Sequence, residues 1–142
     1  MALKLFIDND ALIKLAHWRL LDGFLASLGA TWAEVGVLSS IRFRARRCDA
    51  KLFLDPEIAK ELAENLNSAA EVPEPDRDVF NRLQEVVGLD AGEVELIAAC
   101  VATPGAYLVS GDKRAMEALA QPELADVALL LTGRIICLEQ AL

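Results

Sequence analysis

The chain has 142 residues, 54% of them hydrophobic and 25% charged, with a formal net charge of −8. That length suits one domain able to bury a sizeable core, and the acidic balance excludes a general nucleic-acid coat, which needs basic surface. No apolar stretch approaches the roughly 18 residues needed to span a membrane, and Asp8 and Asp10 come too early for a secretory signal, so a cytoplasmic protein is expected.

In chain order, Leu3, Leu5, Phe6 and Ile7 read as a buried strand, and Ala11, Leu12, Ile13, Leu15 and Ala16 as an amphipathic helix directly after it. The stretch "FIDND" therefore puts Asp8 at a strand's carboxyl end, where ligands bind in open α/β sheets. A short helix near Phe24 to Leu28, a turn at Gly29 and a strand around Ala30 to Trp32 follow, then a helix from about Val37 to Lys51. Within it, "RFRARRCDAK" carries a local charge of +4 and leaves the rest of the chain at −12. Arg42 and Arg46 share one helical face there, while Arg44, Arg47 and Lys51 share another. This is either a solvated helix or a surface for RNA phosphates or a partner, with Phe43 and Phe53 as anchors or base-stacking rings.

Asp55 followed by Pro56 opens a strong helix, "EVPEPD" is a loop within the domain, and "RDVFNRLQEVVG" is a helix ending at Gly88. Then come a helix in "LDAGEVELIAACVATPG", a strand in "AYLVSGD", a helix in "KRAMEALA" and a strand in "GRIICLE". Strands as continuous apolar runs separated by helices predict a small parallel sheet flanked by helices, in an α/β fold. Cys48, Cys100 and Cys137 form no CxxC pair and read as small core residues. A histidine-based metal site is excluded because His17 is the only histidine, and its expected role is structural.

From Val94 to Ala102 every residue except Glu95 is apolar or small, which predicts a helix buried all round. A carboxylate there needs a cation or several donors, so Glu95 is read as functional. Asp90 with Glu93 matches a capping box, which gives Glu93 a structural job. Asp112 ends the "YLV" strand as Asp8 ends the first, although a helix cap explains it as well. Carboxylates converging above one sheet edge, without thiol or imidazole partners, ask for a hard divalent cation, Mg²⁺ or Mn²⁺.

Together "LFIDNDALIKLA", "GEVELIAAC" and "YLVSGDKRAMEAL" resemble the PIN-domain ribonucleases, the family that includes toxins of bacterial toxin–antitoxin operons. The resemblance covers most of the chain and implies a single PIN-like domain over residues 1–142, a three-layer α/β/α fold. It implies Mg²⁺- or Mn²⁺-dependent endonucleolytic cleavage of single-stranded RNA. Asp8, Glu95 and Asp112 match the acids that carry catalysis and metal binding in that family, with Asp10, Glu93 and Ser40 as accessory positions. Arg42, Arg44, Arg46, Arg47, Lys51, Lys113 and Arg114 would hold RNA or a partner. The expected partners are single-stranded RNA, an antitoxin protein or a second copy of the chain, and no membrane.

One position departs from the family. Where relatives place a glutamate in a stretch like "V-L-x-E-L", this chain reads "VLSSI", with Ser40 at the acidic position. The departure opens a second reading, a degenerate PIN domain that binds RNA or protein without catalysis. "FIDND" is also similar to the strand-D-x-D motif of haloacid-dehalogenase phosphohydrolases, with Asp8 as nucleophile and Asp10 as acid–base. Leu12 stands where that family expects Thr or Val.

Overall fold

The computed structural model describes residues 3–86, 88–111 and 113–138. Its centre is β1, Leu5–Ile7, three apolar residues with no access to solvent on either side. Parallel to β1 run β2 (Val35–Val37) on one side and β4 (Tyr107–Ser110) on the other. Beyond them lie β3 (Ala70–Glu71) and β5 (Ile135–Cys137), giving a five-stranded, all-parallel sheet of order β3-β2-β1-β4-β5. A parallel sheet needs helical crossovers, and they divide by half of the chain. Helices α1 (Asn9–His17), α2 (Leu21–Ser27), α3 (Ser39–Arg46) and α4 (Pro56–Leu66) pack on one face. Helices α5 (Arg77–Gln84), α6 (Ala91–Ala102), α7 (Arg114–Leu119) and α8 (Ala125–Leu130) pack on the other.

The alternation of strand side chains builds both cores from the same strands. Leu5 and Ile7 of β1 join the core of α1 to α4, and Phe6 joins that of α5 to α8. On β4, Val109 and Leu108 divide in the same way. The predicted three-layer α/β/α class therefore holds. None of the helices among the described residues is long and apolar enough to cross a membrane.

Several boundaries differ from the sequence reading. The strand expected at Ala30 to Trp32 lies at Val35–Val37, after a turn of 3₁₀ helix, Trp32–Glu34, in which Thr31 and Glu34 form the capping box. Gly36 hides that strand from a propensity argument, since glycine is depleted in strands. A Cβ at position 36 would stand 2.6 Å from Phe6 Cδ1, so the Phe6 ring fills the space over the glycine. The helix expected to reach Lys51 stops at Arg46, and Cys48 takes a left-handed conformation with φ of 51°. Cys48 is also exposed, whereas Cys100 and Cys137 are buried as expected. The two-residue β3 and helix α8 have no counterpart in the sequence reading.

His17 has a structural setting. Its Nδ1 donates to the Ile13 carbonyl at 2.9 Å, its Nε2 accepts from the Leu54 N–H at 3.5 Å, and its ring stacks on buried Phe53.

Candidate functional site

The sheet order places a topological switch point between β1 and β4. From β1 the chain winds outward to β2 and β3, then crosses back to β4 and β5. Crevices at such points, outside the carboxyl ends of the strands, are where open α/β sheets bind ligands. Asp8 stands there as the N-cap of α1, its Oδ1 accepting the Ala11 N–H at 2.7 Å. Its Oδ2 accepts the Gly111 N–H at 3.3 Å, from the turn after β4. Burial pushes the Asp8 carboxyl above its ordinary range, against the two backbone donors and the Ser110 hydroxyl, and the nearby Asp10 charge adds to the rise. The approach of the two turns needs a glycine. A Cβ on Gly111 would collide with the Asp10 carboxylate and lie 3.1 Å from the Ala11 nitrogen. Lys14 holds the same corner, donating to the Gly111 carbonyl at 3.1 Å and pairing with Asp10 at 3.2 Å.

Above this corner opens a cleft of about 420 Å³. Asp8, Asn9 and Asp10 line it from the start of α1, Ser40 and Arg44 from α3, Asp90 and Glu93 from the start of α6, and Arg114 from α7. Asp90 caps α6 by accepting the Glu93 N–H at 2.8 Å. The Glu93 side chain is 8% exposed and lies 3.6 Å from Arg114 Nη2. Glu93 and Asp8 also share the wall of a smaller void beneath the cleft, with Ser110 and Leu108. Across the cleft, Asn9 Nδ2 donates to Ser40 Oγ at 2.9 Å.

Of the residues expected to carry the chemistry, the structure brings Asp8, Asp10, Glu93 and Ser40 to the cleft, with Glu93 in the place expected for Glu95. Glu95 is exposed and is not among the residues that line the cleft, whereas Glu93 is buried and lines it. The premise that α6 is buried all round was wrong, because Ala91, Glu95 and Ala102 form an exposed line along it. Two residues are about 200° on a helix, so a Glu95 facing solvent turns Glu93 inward. The signal was present, but small alanines on the exposed line conceal it. Asp112 lies outside the described residues. Ser40 lines the cleft, and so does Asp10, with its carboxylate exposed.

The basic residues separate as well. Arg44 and Arg114 line the cleft, and Lys113 is exposed beside Arg114. Arg42 does not face outward as a phosphate contact would. Half-buried, it donates to the carbonyls of Leu66 and Ala69 and pairs with Glu71 at 3.4 Å. Arg46 donates to Asn67 Oδ1 at 3.4 Å. Arg47 caps the end of α3, and Lys51 stands in the turn beyond it.

The donor set of the cleft suits a hard divalent cation, since it offers the carboxylates of Asp8, Asp10, Asp90 and Glu93, neutral oxygens, and no sulfur or imidazole. Asn9 adds a buried Oδ1 with no hydrogen-bond partner among the described residues. No group of three or more His, Cys, Asp or Glu able to hold a metal is assembled among the described residues. Mg²⁺ is bound through one or two carboxylates and waters, so Asp8 and Glu93 are sufficient in number.

The fold is similar to that in the crystal structure of PAE2754 from Pyrobaculum aerophilum, with a TM-score of 0.59 over 93% of this chain and 99% of that one. The two share 20% sequence identity, a level at which the likeness shows the fold alone. No family model matches the chain, and no curated protein does.

Proposed function

We propose that the cleft binds Mg²⁺ or Mn²⁺ and hydrolyses phosphodiester bonds in single-stranded RNA, the activity of the PIN-domain ribonucleases that three stretches of the sequence resemble. The observation that carries this reading is the meeting of Asp8 and Glu93, 85 positions apart in the chain, in one cleft at the switch point. Asp8 and Glu93 would hold the cation, joined by Asp112, the acid that the resemblance places after β4. When bound, the ion supplies positive charge for the developing phosphorane and a more acidic water for in-line attack. Asp8 contributes a fixed orientation, because the Ala11 and Gly111 N–H groups hold one lone pair on each of its oxygens. Arg44 and Arg114 offer cations for the backbone phosphates next to the scissile bond.

The deciding measurement is melting temperature with Mn²⁺ or Mg²⁺ against EDTA, beside cleavage of a labelled single-stranded RNA. The cation should stabilise the parent protein and fail to stabilise Asp8→Asn, with cleavage lost in Asp8→Asn and Glu93→Gln and kept in Glu95→Gln. Ser40→Glu, which adds a carboxylate to the cleft wall opposite α1, should tighten cation binding. A parent protein indifferent to both cations overturns the proposal.

A second reading, a domain that binds RNA without cleaving it, is favoured by one feature of the same cleft. Arg114 already places a protein cation beside Glu93, and a hydrogen-bonded Ser40 stands where relatives carry an acid. Under this reading RNA binds, and the divalent cation moves neither melting temperature nor substrate.

A further inference from the structure

Helix α3 sorts its side chains by direction. Ile41 and Ala45 are buried, and Arg42 and Arg46 turn toward the end of α4. On the other side Ser40 and Arg44, one turn apart, line the acidic cleft. Between those rows stands Phe43, about 60° round the helix from Ser40 and about 100° from Arg44. Phe43 is 60% exposed, an unusual place for a large apolar ring. The Arg47 guanidinium lies over it, 4.7 Å from the ring centroid. With one face under Arg47, exposure of that size leaves the opposite face to water. A cation on one face and solvent on the other is a stack lacking its third layer.

The surroundings define what completes it. The stretch 42–51 carries +4 in a chain whose remainder carries −12, so a polyanion is admitted along this side of the molecule. The ring stands on α3 between Ser40 and Arg44, which line the cleft, and so beside its wall. Resting on the reading of the cleft as an RNA site, we propose that Phe43 is a base-stacking platform for single-stranded RNA leaving the cleft, with Arg44 and Arg47 holding the adjoining phosphates. Every base has a π face, so the platform takes bases without regard to identity. A run of carboxylates would satisfy the arginines and leave the ring face open.

The test is fluorescence anisotropy of a labelled single-stranded oligoribonucleotide with the full chain in EDTA, where cleavage cannot contribute. Phe43→Ala should weaken binding roughly 5- to 150-fold, the span expected for loss of one base–aromatic stack. Phe43→Tyr should restore it. An abasic ribose-phosphate oligomer of the same length should bind the parent and Phe43→Ala equally. Arg44→Gln and Arg47→Gln should each lower the slope of log K against log salt by about 0.7, the single-strand value per phosphate, while Arg46→Gln leaves the slope unchanged. Because Phe43 is exposed, the melting temperature of Phe43→Ala should stay at the parent value, which separates a lost contact from a lost fold. The proposal is overturned if Phe43→Ala binds intact and abasic strands with the same loss, or with none. Displacement of RNA by polyglutamate of equal charge, from parent and Phe43→Ala alike, also overturns it and assigns the surface to an acidic protein. Cation-dependent cleavage without a base-dependent loss at Phe43 removes the platform alone. The base-dependent loss without cleavage removes the hydrolysis reading alone.

Discussion

Asp8 carries two obligations that oppose each other. Capping α1 and fastening the β4 turn keep its carboxylate in place, while the burial that those contacts impose disfavours its charge. The folded protein therefore binds a proton at Asp8 more readily than the unfolded chain does. The stability gained from that proton is present below the ordinary carboxylate range and lost as pH rises through the elevated value. In EDTA, the melting temperature of Asp8→Asn relative to the parent should rise between pH 4 and pH 7, as measured by calorimetry. A constant difference across that range would remove desolvation as the cause. The carboxylate's place was legible in the sequence because a buried apolar run leading into an amphipathic helix leaves only the junction residue exposed to ligand. The identity of its partner was not legible. Glu93 and Glu95 differ only in which way α6 turns, and that rotation is set by packing against α5 and the sheet rather than by anything local to the two residues.

At the scale of the element, α3 shows that a basic stretch is not one functional unit. Arg42 is a tether, since its guanidinium donates to the carbonyls of Leu66, the last residue of α4, and Ala69 just beyond it. Arg44 is exposed and makes no ion pair among the described residues. Arg42→Gln should therefore cost about 1.5–3 kcal/mol, the range for hydrogen bonds from a charged donor, and Arg44→Gln within about 0.5 kcal/mol. Urea midpoints at unchanged m would check both. Equal losses would mean that the tether contributes nothing. Helix starts were the most readable part of the chain, because Asp55, Asp76 and Asp90 each accept an N–H in the first turn of the helix they precede. Helix ends were less readable. The stop of α3 depends on a left-handed Cys48, a conformation that no residue type announces as glycine does.

At the scale of the molecule, the sheet separates two cores, and among the described residues only β1 and β4 give fully buried side chains to both. Opening β1 or β4 requires loss of packing on both faces, while α3 can detach by giving up one. Amide hydrogen exchange should rank the molecule accordingly. The N–H groups of Leu5, Phe6 and Ile7, and that of Asp8, which donates to Val109 O at 3.1 Å, should exchange only through global unfolding. Those of α3 should exchange sooner, through local opening. Equal protection in α3 and β1 would show that the domain opens as one unit. If the ranking holds, Asp8 hangs from the part of the backbone that opens last, and the wall carrying Ser40, Phe43 and Arg44 belongs to a part that opens alone. On the proposed reading of the cleft, an RNA strand too bulky for it would enter by displacing that wall, without disturbing the Asp8 carboxylate.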